Sequence, residues 1–251
     1  MLGYVPEQIF TYMLIFARLG ALIMVLPTLG EASIPPRIRL SLALAFSLIM
    51  YQVVGHMMPT MPATVPDLMY LLFIEIAVGI FIGGAARLIM SGLQVAGFVI
   101  GMQSGLASAQ AFDPSQGSQG AILAAFLSVL GVVLIYVSGL YMLFFHAMHD
   151  SYTLFPAGGP FSTGDFAEMA TKNLASSFEI GMRISAPFLV YGLVFYIGLG
   201  LVARLMPQVP IFFVAMPLQI FLSLTIFALV ISSGMLWFLD YFENSMGGFL
   251  S

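Results

Sequence analysis

The sequence predicts an all-α integral membrane protein, and three observations carry that reading. Only 7 % of the 251 residues are Asp, Glu, Lys or Arg, against about a quarter in an ordinary soluble domain. Some 61 % are hydrophobic and the mean hydropathy is +1.06. The apolar residues gather in runs near or above the ~20 that a spanning helix needs. Seven basic and 11 acidic side chains cannot clothe a soluble core of this size, which excludes a cytosolic enzyme, a nucleic-acid binder and a disordered chain. The runs are too long for barrel strands and lack period-two alternation, so helices satisfy the backbone. They tile nearly the whole chain, which is read as one membrane unit, residues 1–251.

Six segments follow in order. The first, Ile9–Leu26, ends at Pro27 and Gly30; no basic stretch precedes it, so it reads as a retained helix and not as a cleaved signal. The second, Leu40–Val54, closes at Gly55 and Pro59. The third is Leu68–Met90, the fourth Gly120–Met148, the fifth about Ile184–Ala203 and the sixth about Ile211–Leu239. Pro187 and Pro217 each remove an N–H and free the carbonyl four residues earlier, those of Arg183 and Phe213. Such carbonyls need a partner from protein or water, so these partly kinked helices are expected to pack against protein.

Between the third and fourth segments, Gly92–Gly120 is too polar to face lipid. Its first half keeps a helical rhythm, with Gly97, Gly101, Gly105 and Ala109 on one small-residue face suited to close contact. Its second half, Phe112–Gly120, reads as a polar loop. The longest hydrophilic connection is Asp150–Ser177, with a turn at Pro156–Pro160. There Asp165-x-x-Glu168 resembles a capping box and Phe166, Met169, Leu174 and Phe178 keep helical spacing, which predicts an amphipathic connector helix leading into segment five. Arg37, Arg39, Arg87 and Arg204 fall on alternate connections, giving a model with both termini outside.

Two ionisable residues lie within apolar segments, Arg18 in the first and Glu75 in the third. Each costs ~2.5–3.5 kcal/mol at bilayer depth on insertion scales, so each is expected to face protein or water. Glu75, Gly79 and Gly83 recur every fourth residue, which sets Glu75 on the glycine side of its helix. An Arg18–Glu75 pair between helices is open to the sequence, and structural pairing is preferred over a proton relay. His146, His149 and Asp150 lack a third ligand at metal-binding spacing. Gly198-x-Gly200-x-x-Ala203 imitates a dinucleotide fingerprint but lies in an apolar helix with no preceding strand. There is no Ser/His/Asp arrangement, no HExxH and no Walker motif. With no cysteine, thiolate sites are excluded as well. No catalytic site, cofactor or metal is expected.

Two stretches, taken together, resemble a known family. The first is Phe16-Ala17-Arg18-Leu19-Gly20 with Pro27, Gly30, Ile34-Pro35, Arg37-Ile38-Arg39 and Leu42-Ala43-Leu44. The second is Gly198-Leu199-Gly200, Arg204, Pro207-Gln208, Phe212 and Met216-Pro217-Leu218. Between them fall Gly97, Gly101, Gln103, Gly105 and Asp113-Pro114. Over essentially the full length, this order resembles the FliR family of flagellar export-gate proteins, whose relatives serve type III secretion injectisomes. Two departures stand out: Pro210-Ile211-Phe212 where the family shows Asn-Ile/Val-Phe, and Gln219 where it has Lys. No role tied to that asparagine or lysine is carried over.

The resemblance implies a non-enzymatic subunit of a protein-conducting gate for unfolded flagellar proteins. It would sit in the bacterial inner membrane at the flagellar basal body, in contact with lipid and not with nucleic acid. FliP-like and FliQ-like subunits would be its partners, with FlhB and FlhA associated. It further implies a FliP-like part, 1–180, fused to a FliQ-like hairpin, 181–251, with much of the protein above the bilayer plane. A plug-like loop would map to about Gly105–Gly120, with Gly105, Leu106, Gln110, Phe112 and Asp113 as gate candidates. Pro35, Arg37, Arg39, Arg204, Pro207, Gln208 and Pro217 are the motif positions. The alternatives are an injectisome gate subunit and, less favoured, a small-solute secondary transporter or channel; a membrane-embedded enzyme ranks last. The stretch from Pro6 to Leu44 leans flagellar. Since partners would supply the surface this chain lacks, the isolated chain is expected to behave poorly in solution.

Overall fold

A computed structural model describes residues 5–31, 34–106, 120–159, 163–208 and 210–247. All the regular structure among them is helical: α1 (Val5–Val25), α2 (Pro36–Val54), α3 (Val65–Gln103), α4 (Gly120–Val137), α5 (Met142–Leu154), α6 (Thr163–Leu205) and α7 (Ile211–Gly247), with one 3-10 turn at Gly55–Met57. Prolines open three of them, Pro6 in α1, Pro36 in α2 and Pro66 in α3, where the missing N–H is unpaired in any case. The Thr64 hydroxyl accepts from the Asp67 N–H and donates to its carboxylate, capping α3 reciprocally. Five helices are long and apolar enough to cross a membrane, and a sixth span counts if the bent pair α4–α5 is one. The chain is an all-α membrane protein.

Three boundaries differ from the sequence reading. The fourth segment is not one helix: Ile122–Val137 and Met142–Leu154 meet at 78°. Gly139 makes the break with φ +81, a left-handed conformation that glycine adopts without a Cβ clash, and the Tyr136 and Tyr141 rings stack across it at 5.6 Å. The third segment continues as helix into the polar stretch, to Gln103. The connector and segment five form a single 43-residue helix that runs through Pro187. α6 starts at Thr163, two residues ahead of the Asp165 at which the capping pattern set its start. At 1.5 Å per residue α3 and α6 are about 58 and 64 Å long, roughly twice the ~30 Å hydrocarbon core.

The chain divides into two compact units. The first comprises Met1–Ile89, Tyr136–Leu174 and Glu243–Ser251. Its core is built from one stripe of α1 (Phe10, Leu14, Leu19, Leu22), the facing stripe of α3 (Ile74, Val78, Ile82, Ala86) and Phe144 and Met148 of α5. The second comprises Met90–Ile135 and Ala175–Phe242. There Leu93 and Ile100 of α3, Leu127 of α4, Ile184 and Phe188 of α6 and Phe238 of α7 are buried. Within this unit α3 and α6 run parallel at backbone contact. A Cβ on Gly92 would stand 2.9 Å from the Ser177 carbonyl oxygen, one on Gly181 2.8 Å from the Gly92 carbonyl oxygen, and further along Gly192 abuts the Gln103 side chain.

Much apolar surface stays uncovered. In the most apolar window of α7 only 11 % of residues are buried, and in those of α2 and α6 17 %. Leu48, Ile49, Val190, Leu193, Phe221 and Leu229 are all exposed. Patches of this kind mark contact with lipid or with other protein.

Candidate functional site

Two buried polar nodes stand out against the apolar background, one in each unit. The first begins with a charge on the wrong face of a helix. Arg18 follows Leu14 and Ile15 and precedes Leu19 and Leu22 on the buried stripe of α1, so the chain carries its guanidinium fully into the core. Isolated, that charge would be prohibitive. Glu75, equally buried on α3, neutralises it through a bidentate pair, Nε to Oε2 at 2.7 Å and Nη2 to Oε1 at 3.0 Å.

The remaining donors reach the end of α5. Nη1 donates to the Ser151 carbonyl at 2.7 Å and more distantly to the Ser151 hydroxyl at 3.4 Å, and Nη2 donates to the Phe155 carbonyl at 2.9 Å. All five guanidinium N–H groups are thereby engaged. The Ser151 carbonyl also accepts from the Phe155 N–H at 3.0 Å, and carbonyls at a helix C-terminus carry the negative end of the macrodipole, so a cation suits them. The Tyr152 ring lies 4.2 Å from the guanidinium carbon, which adds a cation–π contact.

Glycine makes this reach possible. A Cβ on Gly79 would strike the Arg18 carbonyl oxygen, and one on Gly83 would stand 2.8 Å from the Leu22 carbonyl oxygen. Gly79, Gly83 and Glu75 therefore share the face that meets α1, as the four-residue spacing predicts. Beyond the node, Phe155 and Phe166 stack at 4.9 Å, and Phe166 meets Phe81 edge-on at 4.3 Å. Chemically the node is a joint. Both oxygens of Glu75 are held by one arginine, and the arginine has no N–H left for a substrate.

The second node closes the end of α3. A helix leaves its last carbonyls unpaired, and here each finds a donor. The Ser104 N–H bonds back to Ile100 O at 2.8 Å, and the Ser104 hydroxyl donates to Gly101 O at 2.9 Å. The Gly105 N–H reaches Met102 O at 3.4 Å. The Gln219 side-chain amide, from α7, donates to Gln103 O at 3.0 Å, and the Ser223 hydroxyl, whose shorter bond is to Ile220 O at 3.0 Å, lies 3.5 Å from Ser104 O. The second N–H of the Gln219 amide goes to Tyr196 Oη at 3.1 Å, while Tyr191 Oη donates to the Gln219 main-chain carbonyl at 3.0 Å. Gln219, Ser104 and Ser223 are all buried. Gly105 turns the chain out of the helix with φ +76 and packs against the Gln219 amide, whose atoms a Cβ would meet at 3.0–3.3 Å.

The other residues singled out by sequence are dispersed. Gly97 packs on the α4 backbone, where a Cβ would come within 2.8 Å of the Leu123 carbonyl carbon. Gly101 is buried and Leu106 is half-buried at the α3 exit. Gln110, Phe112 and Asp113 lie outside the described residues. Pro35 is the N-cap of α2; Arg37 is exposed, and Arg39 donates to Ile34 O at 3.1 Å. Arg204, Pro207, Gln208 and Pro217 are exposed, the first in the last turn of α6 and the last inside α7.

Sequence reasoning missed the acceptors of Arg18, because Ser151 and Phe155 contribute carbonyls that no side-chain pattern announces. It noted Gln219 only as a departure from a family. The signal that marks Gln219 is its isolation: it is the first polar side chain of α7, and a buried amide is tolerated only when bonded. Among the described residues no cluster of His, Cys, Asp and Glu is arranged to hold a metal.

Fold and nodes together define a helical membrane protein whose buried polar groups tie helix ends. The family model for "Bacterial export proteins, family 1" matches residues 9–245, and the chain belongs to that family. It is 40 % identical to the flagellar biosynthetic protein FliR of Caulobacter vibrioides, over 92 % of each chain. With FliR of Bacillus subtilis it shares 26 % identity over 84 % of this chain and 82 % of the relative. With the Yop proteins translocation protein T of Yersinia pestis it shares 24 %, over 86 % and 83 %.

Proposed function

We propose that this protein is a non-enzymatic subunit of the flagellar type III export gate, forming part of the pore that conducts unfolded flagellar subunits across the bacterial inner membrane. The observation that carries this reading is the similarity to a flagellar FliR over 92 % of both chains. The weaker similarity to a Yop translocation protein fits common descent with injectisome gates and ranks that membership second. In this reading the uncovered apolar faces of α2, α6 and α7 meet FliP-like and FliQ-like subunits as well as lipid, and FlhB and FlhA associate with the assembly at the basal body. Residues 1–180 act as the FliP-like part and 181–251 as the FliQ-like hairpin. Arg204, Pro207 and Gln208 form the exposed turn between α6 and α7.

The pore is closed in this proposal by the chain from Gly105 to Gly120, with Leu106 and Phe112 as the apolar seal and Gln110 and Asp113 as its polar neighbours. Hydrophobic constrictions exclude water and ions. Co-expression with FliP- and FliQ-like partners, followed by native mass spectrometry, tests the assignment. A stable hetero-complex is expected. A monodisperse chain that binds a small solute on its own, with saturable flux in proteoliposomes, would overturn it. Deleting Ser108–Ser115 should raise ion leakage through the assembled complex, and unchanged permeability would sink the seal.

A further inference from the structure

We infer that Gln219 is a positioning residue for the gate: its amide holds the last turn of α3 in place and so sets how tightly the pore closes. The consequence for the pore rests on the function proposed above; the anchoring rests on geometry alone. Four observations converge. The Gln219 amide donates to Gln103 O, one of the carbonyls of the last turn of α3. Its second N–H is held by Tyr196, so the amide plane is fixed from α6 as well as from its own helix. Tyr191 fixes the backbone of the same residue. The left-handed Gly105 lies directly against the amide, so a Gln219 displacement moves the support of the chain as it departs toward Leu106.

The arrangement is neutral throughout. Buried in an apolar unit, an unpaired carbonyl is costly, which keeps the closed seat occupied. With no ion pair to separate, it can be released and remade at modest cost. That combination suits an element that must hold a resting pore shut and let go when a substrate passes.

Two substitutions separate the donor from the volume it fills. Gln219→Leu keeps an apolar side chain of similar size and removes both N–H groups. Gln219→His, at mildly alkaline pH, keeps a neutral ring N–H at about the reach of the amide nitrogen. In the complex assembled with FliP- and FliQ-like partners, Gln219→Leu should speed amide exchange at Ser104, Gly105 and Leu106 about tenfold. It should raise ion leakage severalfold, and Gln219→His should return both toward the parent. Unchanged exchange in Gln219→Leu overturns the anchoring, as does faster exchange along all of α6 and α7 that His does not rescue. Faster local exchange without leakage, in a complex where the Ser108–Ser115 deletion does leak, overturns the control of closure and leaves the pore reading standing. If neither Gln219→Leu nor the Ser108–Ser115 deletion leaks, the pore reading fails, closure control falls with it, and exchange alone decides the anchoring.

Discussion

At Arg18 and at Gln219 a side chain from one helix reaches the open C-terminal end of another, but the first brings a full charge and the second a neutral amide. The charge needs Glu75 as counter-ion before it can enter the core, and once there its five donors serve α3 and the end of α5 together. The amide has two donors and cannot close a helix end alone. Ser104 and Gly105 complete the work around it. The ionic node is therefore a single interlocked object, in which removing either partner strands the other. The amide node is a sum of small parts, each replaceable. A joint that must stay shut is suited to the former and a seat that must yield to the latter.

The largest test of this contrast is to strand the charge. Glu75→Ala leaves a buried guanidinium without its carboxylate, a loss of about 3–5 kcal/mol. It should sharply lower the fraction of full-length chain that survives heating in solubilised membranes. Replacing both partners, Arg18→Met with Glu75→Met, should recover a large part of that loss, because no bare charge remains. Recovery should be incomplete, since Phe155 O loses the Arg18 donor and Ser151 O is left with the Phe155 N–H alone. Equal losses in the single and double variants would show that packing, not charge, governs the node.

A second test sharpens the claim that backbone contact is what lets Arg18 reach. Gly79 and Gly84 are glycines of the same helix with different surroundings. A Cβ at Gly79 would collide with the Arg18 carbonyl, whereas one at Gly84 meets nothing within 4 Å. Gly79→Ala should destabilise by about 1–3 kcal/mol. Gly84→Ala should stabilise by about 0.5–1 kcal/mol through helix propensity alone. The same heating assay, with both variants side by side, reads the sign directly.

The same contrast explains what the sequence could reveal. A charge within an apolar run is conspicuous, so Arg18 and Glu75 could be picked out, and the four-residue spacing of Glu75, Gly79 and Gly83 placed them on one face. The six apolar runs likewise mark most of the helices. What stays hidden is the use of main-chain groups. Nothing in Ser151 or Phe155 as residue types says that their carbonyls lie at a helix end facing an arginine. Gly139, one glycine among 25, looks like a packing residue until its φ of +81 shows it to be the corner between α4 and α5. The small-residue ladder was legible as a pattern but not as a contact. Gly97 meets α4, Gly105 has left the helix, and the tightest approach to α6 is made by Gly92, outside the ladder.

The smallest expected effect comes from within the ionic node. The Tyr152 ring lies 4.2 Å from the Arg18 guanidinium, but its hydroxyl is buried and accepts or donates no hydrogen bond among the described residues. The ring and the hydroxyl thus make opposite contributions. Tyr152→Phe keeps the cation–π face and removes a polar atom that the fold does not satisfy, so stability should stay within about 0.5 kcal/mol of the parent or rise slightly. Tyr152→Leu removes the face and should cost about 1–2 kcal/mol beyond any change in packing. If Phe instead proves as damaging as Leu, the hydroxyl has a partner and the node extends further than Arg18, Glu75 and the end of α5. If Leu proves as harmless as Phe, the five hydrogen bonds of Arg18 hold the joint without help from the ring.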